Sequence, residues 1–276
     1  MKEKMRNKLS VSKLVWVVEP DVFGQDYNLP FAAKAVGHNV LEWCDDWWET
    51  KRWPELTDKL VIFHGSLNNA ARISAELPWN PGAFCDIDWL HCSTYFPIVE
   101  KWLLNKCWAL TTVKELVNQS ECVLSRIGSA NSFFVRPDSP LKPFSGRVIT
   151  RNNLTLEALD YGFYYDDENL PIIISPIKTV SCEWRYIIVD GEVVSGSAYE
   201  ANGRIAKTDN FNKKSLYYAT LIAKQLSVLQ KVYIIDICEC DGELYLLELN
   251  PFSGADLYGC DMSAVVKRIS DMVLTK

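Results

Sequence analysis

The sequence predicts a mixed α/β (α+β) protein built from two domains, and three observations carry that prediction. The chain has 276 residues, which exceeds the roughly 100–200 residues of a typical single domain. Its first third alternates strand-like runs with helix-like or turn-rich runs, which is typical of a small parallel α/β layer. The remainder contains two hairpin signals separated by a helical pattern, which indicates an antiparallel sheet covered by a helix.

The predicted N-terminal domain covers residues 1–105. Lys13 to Val18 and Leu60 to Phe63 are its clearest predicted strands, and the second ends in His64-Gly65-Ser66. Tryptophan is frequent in this third, and its side chains are predicted mainly to pack, with an aromatic-lined substrate cleft as the alternative. These residues are Trp43, Trp47, Trp48, Trp53, Trp79 and Trp89.

The predicted second domain covers residues 106–276. Asp190-Gly191 and Asp241-Gly242 are turn sequences between alternating apolar residues, so each is predicted to join the strands of a hairpin. Lys213 to Leu229 lies between the hairpins and has helical apolar spacing. The other predicted elements are a helix at Thr111 to Gln119 and strands at Ser132 to Arg136, Arg185 to Val189, Glu192 to Tyr199, Val232 to Glu239 and Glu243 to Leu249.

Composition indicates a globular protein and disfavours two classes of partner. Hydrophobic residues make up 48% of the chain, and 29 basic against 35 acidic residues give a net charge of −6, which disfavours nonspecific binding to nucleic acid or anionic lipid. No run approaches the roughly 18 apolar residues that span a bilayer, so no membrane partner is expected. Nine cysteines without a C-x-x-C pair favour a reducing, cytoplasmic location.

Three polar residues in the last predicted hairpin form a candidate metal site. Glu248 and Asn250 share a face of their strand by alternation, and Asp236 lies in the apolar partner strand, where an isolated carboxylate would be costly to bury. Two carboxylates and an amide oxygen suit magnesium, which completes its shell with water and nucleotide phosphates. The alternative is that Asp236 is satisfied by backbone donors and that Glu248 is solvated.

The candidate metal site depends on strand register. A two-residue Asp241-Gly242 loop would pair residues whose numbers sum to an odd value and would put Asp236 and Glu248 on opposite faces. A three-residue loop with a glycine bulge would bring them together. The metal interpretation therefore predicts that bulge.

Basic residues upstream are candidates for binding phosphate. Arg136 ends a predicted strand and is followed by a loop of small residues that carries Lys142. Such a loop could close over a triphosphate, or it could be an ordinary surface loop. Glu183 and Arg185 share a strand face, so they could form a simple ion pair or present a charge to ATP. Lys207, in the polar loop Ala201 to Asn212, is a further candidate.

Other catalytic chemistries lack their usual patterns in this sequence. It contains no G-x-x-x-x-G-K-[ST] loop, no G-x-S-x-G elbow and no G-x-G-x-x-G dinucleotide turn. His38, His64 and His91 are widely spaced, so structural roles are predicted for them rather than metal ligation. No cysteine lies in a recognisable catalytic setting.

Taken in order, several segments resemble the ATP-grasp superfamily. They are Phe134-Val135-Arg136-Pro137, the Lys142 loop, Ser175-Pro176-Ile177, Glu183 to Gly191, and Asp236 with Glu248-Leu249-Asn250-Pro251. The resemblance covers about residues 130–260. More narrowly, it points to the clade of bacteriophages and bacteria whose signature is two arginines and a lysine, here Arg136, Arg185 and either Lys142 or Lys178. The protein would then be phage-associated or bacterial, and a phage-encoded copy would act in the host cytoplasm.

The resemblance implies a site that encloses ATP and Mg²⁺ between antiparallel-sheet-plus-helix subdomains. Adenine would contact the backbone around Ser175, Pro176 and Ile177, and Glu183 would lie near the ribose or a cation. Arg136 would stand where most members use lysine, although its planar fork differs from an ammonium. The remaining implied contacts are catalytic charge from Arg136, Arg185 and Lys142, a nucleotide contact from Lys178, and metal ligation by Asp236, Glu248 and Asn250. Ser253, in the segment Phe252 to Asp256, is a further candidate for contact with the substrate or the γ-phosphate.

The implied function is an ATP-dependent ligase that activates a carboxylate as an acyl-phosphate for attack by an amine or thiol. Amino acids, peptides and a protein terminus all stay open as substrates, and so does the oligomeric state. One alternative is a non-catalytic nucleotide-binding or regulatory module of the same fold. A second alternative is a ligase that modifies nucleic acid, which would need a basic groove despite the net charge.

Overall fold

The computed structural model describes residues 13–24, 27–56, 58–128, 131–159, 167–199, 206–207, 213–227 and 230–275. Two compact units divide the chain. Unit 1 comprises Met1–Asp86, Cys182–Cys238 and Glu248–Lys276, and unit 2 comprises Ile87–Ser181 and Glu239–Leu247. The division of the sequence at residue 105 into two successive domains stays a prediction.

Strands and helices alternate along most of the described chain. The strands are β1 (Leu14–Val18), β2 (Asn39–Glu42), β3 (Leu60–His64), β4 (Asn80–Ala83), β5 (Ala109–Thr112), β6 (Ser132–Pro137), β7 (Arg147–Thr150), β8 (Pro171–Ser175), β9 (Cys182–Val189), β10 (Glu192–Tyr199), β11 (Ala206–Lys207), β12 (Val232–Cys240) and β13 (Glu243–Pro251). The α-helices are α1 (Leu29–Ala35), α2 (Asp46–Thr50), α3 (Leu67–Glu76), α4 (Ile87–Leu90), α5 (Cys92–Val99), α6 (Val113–Asn118), α7 (Ser120–Ser125), α8 (Leu156–Leu159), α9 (Lys213–Leu226) and α10 (Met262–Leu274). Short 3-10 helices occupy Pro20–Val22, Glu100–Trp102 and Arg151–Asn153.

Unit 1 contains a four-stranded parallel sheet in the order β2-β1-β3-β4. Every residue of β1 is buried, as expected for a central parallel strand that is covered on both faces. The unit also contains the sheet β11-β10-β9-β12-β13, although the tip of its β12–β13 hairpin is counted with unit 2. The predicted parallel layer and the first predicted hairpin are therefore confirmed.

One hydrophobic core joins the two sheets of unit 1 through helices α1 and α10. It includes Trp16 from the parallel sheet, Ile187 and Ile234 from the five-stranded sheet, and Val266 from α10. The Trp16 indole donates to the Ser270 hydroxyl at 3.2 Å, so the one polar atom of that buried ring is satisfied. Residues of β1, β3, β9 and β12 are thus buried together in a single core.

Unit 2 is built on an antiparallel sheet in the order β5-β8-β6-β7. Phe133, Val135 and Ile174 point to the face that packs against helices α6 to α8, where they form the core of this unit. The pleat turns the intervening residues to the opposite face. That second face carries Phe134 and Arg136.

The boundaries of the two predicted helices differ from those in the structure. The helix predicted at Thr111 to Gln119 begins only at Val113, because Thr111 belongs to β5 and the Thr112 hydroxyl caps the helix by accepting from the Glu115 amide. The helix predicted to reach Leu229 is observed to Leu226, and residues 228–229 lie outside the described chain.

Two features of the described chain concern its cysteines and its helices. All nine cysteines fall within the described residues, and none takes part in a disulfide. Cys238 is buried, whereas Cys107 and Cys182 are exposed. No helix in the described part of the chain has the length and apolar content needed to cross a bilayer.

Candidate active site

The best-defined polar cluster in unit 1 is a buried ion pair between Arg185 of β9 and Asp236 of β12. Arg185 Nε donates to Asp236 Oδ1 at 2.9 Å, and Nη2 donates to Oδ2 at 2.7 Å. The two residues are only 7% and 1% exposed. Because β9 and β12 are neighbours in the sheet, the planar fork of the arginine meets the carboxylate with two parallel hydrogen bonds.

Asn250 links Asp236 to Glu248. Its side-chain nitrogen donates to Asp236 Oδ2 at 2.8 Å and to Glu248 Oε1 at 3.0 Å. Asn250 is buried and Glu248 is partly exposed, so the cluster runs from the interior of the sheet toward its surface. The three residues predicted to bind a metal are therefore brought together, although their role as ligands stays a prediction.

The turn that joins β12 to β13 differs from the predicted bulged loop. It contains two residues, Asp241 and Gly242, with φ angles of 53° and 79°, as a two-residue hairpin turn with left-handed backbone requires. A regular ladder from this turn would send Asp236 and Glu248 to opposite faces. The hydrogen bonds of Asn250 to both carboxylates therefore require an irregularity within the strands and not at the turn.

The chemistry of this donor set fits a magnesium ion. Asp236, Glu248 and Asn250 each carry a side-chain oxygen, which is the ligand type that Mg²⁺ prefers. Arg185 offsets one of the two carboxylate charges. Asn250 would supply the third oxygen ligand beside those of the two carboxylates.

The segment that follows β13 is tied to the ends of β3 and β4. Ser253 is fully buried, its hydroxyl accepts from the Phe84 amide at 2.8 Å, and its carbonyl accepts from the Gly65 amide at 2.9 Å. A Cβ at Gly254 would lie 2.8 Å from the Leu67 Cα, so the absence of a side chain permits this close approach. The predicted nucleotide contact Ser253 is thus engaged with the protein in this structure.

The next residues of the same segment return to Arg185. Its Nη1 donates to the Asp256 carbonyl at 2.6 Å, and its guanidinium lies over the Tyr258 ring at 4.7 Å from the centroid. Tyr258 has a left-handed φ of 49°, and its amide donates to the Asp256 carboxylate at 2.8 Å. Arg185 therefore contacts both the Asp236 carboxylate and the turn after β13. Tyr258 was not singled out in the sequence, because a tyrosine in a loop carries no periodic signal.

Two titratable groups beside this segment are held neutral by burial. His64 is fully buried, its Nδ1 shares a hydrogen bond with the Tyr27 hydroxyl at 2.9 Å, and burial lowers its pKa to about 3. Burial also raises the pKa of the Cys260 thiol to about 12. The structural role predicted for His64 fits this geometry, and Cys260 is protonated at neutral pH and is therefore a weak nucleophile.

One face of the sheet in unit 2 carries Arg136 and is only partly covered, and we call it the half-open sheet face. Phe134, Arg136 and Ser175 share this face by strand register, with Ile173 beside Arg136. Leu110 and Val148, the outer residues paired with this group, are 44% and 53% exposed. An apolar sheet face that carries one arginine is suited to a ligand in which a flat ring is joined to an anionic group. Ser175 is buried, and the chain becomes exposed from Ile177 to Lys178.

The loop that carries Lys142 is anchored by Asp138. The Asp138 carboxylate accepts from the Ser93 amide at 2.7 Å, from the Ser93 hydroxyl at 2.8 Å and from His91 Nδ1 at 3.0 Å. Lys142 is exposed and has a left-handed φ of 49°. The sequence did not identify Asp138 as an anchor, because its partner Ser93 lies 45 positions away and an acid in a polar loop carries no local signal. The hydrogen bond between His91 and Asp138 is compatible with the structural role predicted for this histidine.

The predicted residues thus fall into two groups. Arg185, Asp236, Glu248, Asn250 and Ser253 lie in unit 1. Glu183 also lies there, on the same face of β9 as Arg185. Arg136, Lys142, Ser175, Pro176, Ile177 and Lys178 lie in unit 2. The side chain of Lys207 and most of the loop around it lie outside the described residues.

Comparison with known proteins defines the class. A family model described as an ATP-grasp domain, R2K clade family 2, matches residues 114–268, which is more than half of the chain. The chain belongs to this family of the ATP-grasp superfamily. A search of curated protein sequences returned no significant match.

Solved structures agree with this fold over nearly the whole chain. D-cycloserine synthetase DcsG matches with a TM-score of 0.63 and 14% identity, over 94% of this chain and 99% of that protein. The D-alanine–D-alanine ligase of Bacillus anthracis complexed with ATP matches with a TM-score of 0.61 and 15% identity, over 96% and 98%. The macrocyclase MdnC of Microcystis aeruginosa MRC, bound with its precursor peptide MdnA, matches with a TM-score of 0.59 and 13% identity, over 95% and 100%. The predicted ATP-grasp fold is confirmed, and family membership confirms the predicted class of ATP-dependent ligase.

Proposed function

We propose that this protein is a Mg²⁺-dependent carboxylate–amine or carboxylate–thiol ligase that proceeds through an acyl-phosphate. The observation that carries this proposal is the hydrogen-bonded set of Asp236, Asn250 and Glu248 in a chain of this family. These residues supply the oxygen ligands that a nucleotide-bound magnesium needs. The metal would be held by Asp236, Glu248 and Asn250, and it would neutralise phosphate charge during transfer.

The proposed reaction has two steps that balance without a protein nucleophile. A substrate carboxylate oxygen forms a bond to the γ-phosphorus of ATP, and the bond from that phosphorus to the bridging oxygen breaks and releases ADP. An amine nitrogen or a thiolate sulfur then bonds to the acyl carbon, while the carbon–oxygen bond breaks and inorganic phosphate leaves. The amine loses its extra proton to solvent.

Two basic residues of unit 2 are candidates to bind the phosphates of ATP. Arg136 lies on the half-open sheet face, where its planar fork could contact two phosphate oxygens. Lys142 lies in a loop whose start is fixed by the buried Asp138, so its charge is carried on an anchored segment. We assign the triphosphate to Arg136 and Lys142, and the adenine to the backbone from Ser175 to Ile177.

The test is nucleotide binding and turnover by the wild type and by Asp236→Asn combined with Glu248→Gln. Calorimetric titration with Mg-ATP should give binding to the wild type and a large loss in the double variant. The matched control is Asp21→Asn combined with Glu42→Gln, which removes two exposed carboxylates of unit 1 and should bind like the wild type. Equal binding by both double variants would refute the metal assignment.

Trapping distinguishes the proposed chemistry from other ligase chemistry. Hydroxylamine converts an acyl-phosphate into a hydroxamate, so a panel of amino acids and peptides should yield hydroxamate together with ADP and phosphate. Formation of AMP and pyrophosphate would instead indicate an adenylate and would overturn the acyl-phosphate. Binding of Mg-ATP with no turnover on any carboxylate would point to the non-catalytic module.

A further inference from the structure

We infer that Arg185 is a positioning residue that orients the metal-binding carboxylate of Asp236, and that it is not a direct ligand of phosphate. This inference rests on the proposed function, because Asp236 is a metal ligand only if the protein uses Mg-ATP. It changes the role expected from the sequence, which grouped Arg185 with Arg136 and Lys142 as cations facing phosphate.

The guanidinium of Arg185 is committed to the protein through all three of its nitrogens. Nε and Nη2 donate to the two oxygens of Asp236, and Nη1 donates to the Asp256 carbonyl. The Tyr258 ring lies against the guanidinium, and the residue is 7% exposed. A phosphate oxygen would have to displace a buried charge-assisted hydrogen bond to reach this group, which is costly in a desolvated site.

The turn after β13 is hydrogen-bonded to β9 and β10, the strand pair that carries Arg185. Ser197 is the cross-strand partner of Arg185, and its hydroxyl accepts from the Gly259 amide at 3.2 Å. The hydroxyl of Ser195, from the same strand, accepts from the Asp261 amide at 2.8 Å. Three contacts from β9 and β10 therefore hold the segment from Asp256 to Asp261. This arrangement fixes Asp256 and Tyr258 around the guanidinium.

A metal-binding carboxylate requires, besides the metal, a rigidly held partner that fixes its orientation. Two parallel hydrogen bonds fix both the position and the plane of the Asp236 carboxylate, and the amide of Asn250 fixes Oδ2 from the other strand. Groups that orient metal ligands in this way typically change metal affinity about 10–100-fold when they are replaced. We therefore expect loss of the arginine fork to weaken metal binding and to leave nucleotide contacts intact.

The test measures metal and nucleotide binding separately in Arg185→Lys. Lysine keeps the positive charge but cannot make the bidentate contact. Mn²⁺ titration followed by electron paramagnetic resonance, at saturating nonhydrolysable ATP analogue, reports metal affinity. Titration of the same analogue in the presence of a chelator reports metal-free nucleotide affinity. Arg268→Lys, which changes a partly exposed arginine of the same unit that pairs with Glu192, is the matched control.

We expect Arg185→Lys to weaken Mn²⁺ binding about 10-fold or more, with metal-free nucleotide affinity within about 2-fold of the wild type. A fall in metal-free nucleotide affinity as large as the fall in Mn²⁺ affinity would overturn the inference, and so would unchanged Mn²⁺ binding. Failure of the wild type to bind the analogue or Mn²⁺ would instead refute the proposed function. The two failures are therefore distinguishable.

Two further variants keep the inference testable if Arg185→Lys does not fold. Tyr258→Leu removes the ring that covers the guanidinium, and Tyr258→Phe retains it. The leucine variant should bind Mn²⁺ several-fold more weakly than the phenylalanine variant, with equal metal-free nucleotide affinity. Equal Mn²⁺ affinity in these two folded variants would contradict a positioning role for the fork.

Discussion

The side-chain amide of Asn250 donates to the Asp236 carboxylate at 2.8 Å, and the same nitrogen donates to Glu248. Asn250→Asp would replace this donor with a third carboxylate in a small, partly buried cluster. We expect the free energy of unfolding to fall by about 1–3 kcal/mol in chelator, because buried acceptors lose a donor and gain a like charge.

Magnesium should restore much of the stability lost in Asn250→Asp, since an added divalent cation neutralises the new charge. Urea unfolding with chelator and with millimolar Mg²⁺ measures both effects. Asn68→Asp, on the exposed side of the first turn of α3, makes the same substitution away from the cluster and should show no such dependence on Mg²⁺. An Asn250→Asp protein as stable in chelator as the wild type would argue against a close acidic cluster.

A methyl group at Gly254 should loosen the segment that joins β13 to the parallel sheet. The Cβ of Gly254→Ala would fall 2.6 Å from Leu67 Cδ1 and 2.8 Å from Leu67 Cα, and the backbone cannot move aside cheaply. Overpacking of this kind costs about 1–3 kcal/mol. Thermal unfolding should therefore show a clear loss for Gly254→Ala and almost none for Gly24→Ala, because no atom lies within 4 Å of a Cβ at Gly24.

The strands and hairpins could be predicted because their signals are local. Asp190-Gly191 and Asp241-Gly242 adopt left-handed backbone at both positions, as two-residue hairpin turns require, and the apolar runs beside them became β9, β10, β12 and β13. The register of the β12–β13 pairing could not be predicted from the sequence. A single irregularity within a strand changes which residues share a face, and no residue type marks it.

The partner of Arg185 also could not be predicted from the sequence. The residues are 51 positions apart, and they meet only because β9 is hydrogen-bonded to β12 as well as to β10. Sequence alternation instead offered Glu183 as a same-face neighbour. The contact of Asp138 with Ser93 spans 45 positions in the same way. Local patterns thus identify polar residues in apolar strands, whereas strand order decides which of them pair.

Asp138 should prove essential to the order of the Lys142 loop. Asp138→Ala would leave the Ser93 amide and hydroxyl and His91 Nδ1 without their shared acceptor, at an expected cost of about 1–3 kcal/mol. Hydrogen exchange should accelerate at the Ser93 amide and through the loop that follows. The exposed Asp88 offers the control Asp88→Ala, for which we expect wild-type exchange. Unchanged protection of Ser93 in Asp138→Ala would contradict an anchoring role.

His64 should make the stability of the protein depend on acidity. The unfolded chain binds a proton at His64 below pH 6.5, whereas the folded chain excludes it down to about pH 3, because the ring is fully buried. The unfolded state therefore holds more protons in this window. It follows that the free energy of unfolding falls as pH decreases from 6.5 toward 3, by up to about 1.4 kcal/mol per pH unit from this one group.

His64→Asn should remove this contribution while keeping a side-chain amide within reach of the Tyr27 hydroxyl. We expect the variant to be less stable than the wild type at pH 8, because a smaller side chain leaves part of the site unfilled. Its free energy of unfolding should nevertheless decline less steeply than that of the wild type between pH 6.5 and pH 5. Urea unfolding of both proteins across that range compares the slopes, and the difference at pH 8 serves as the baseline. Parallel pH profiles would show that His64 is protonated in the folded protein or that another group dominates the dependence.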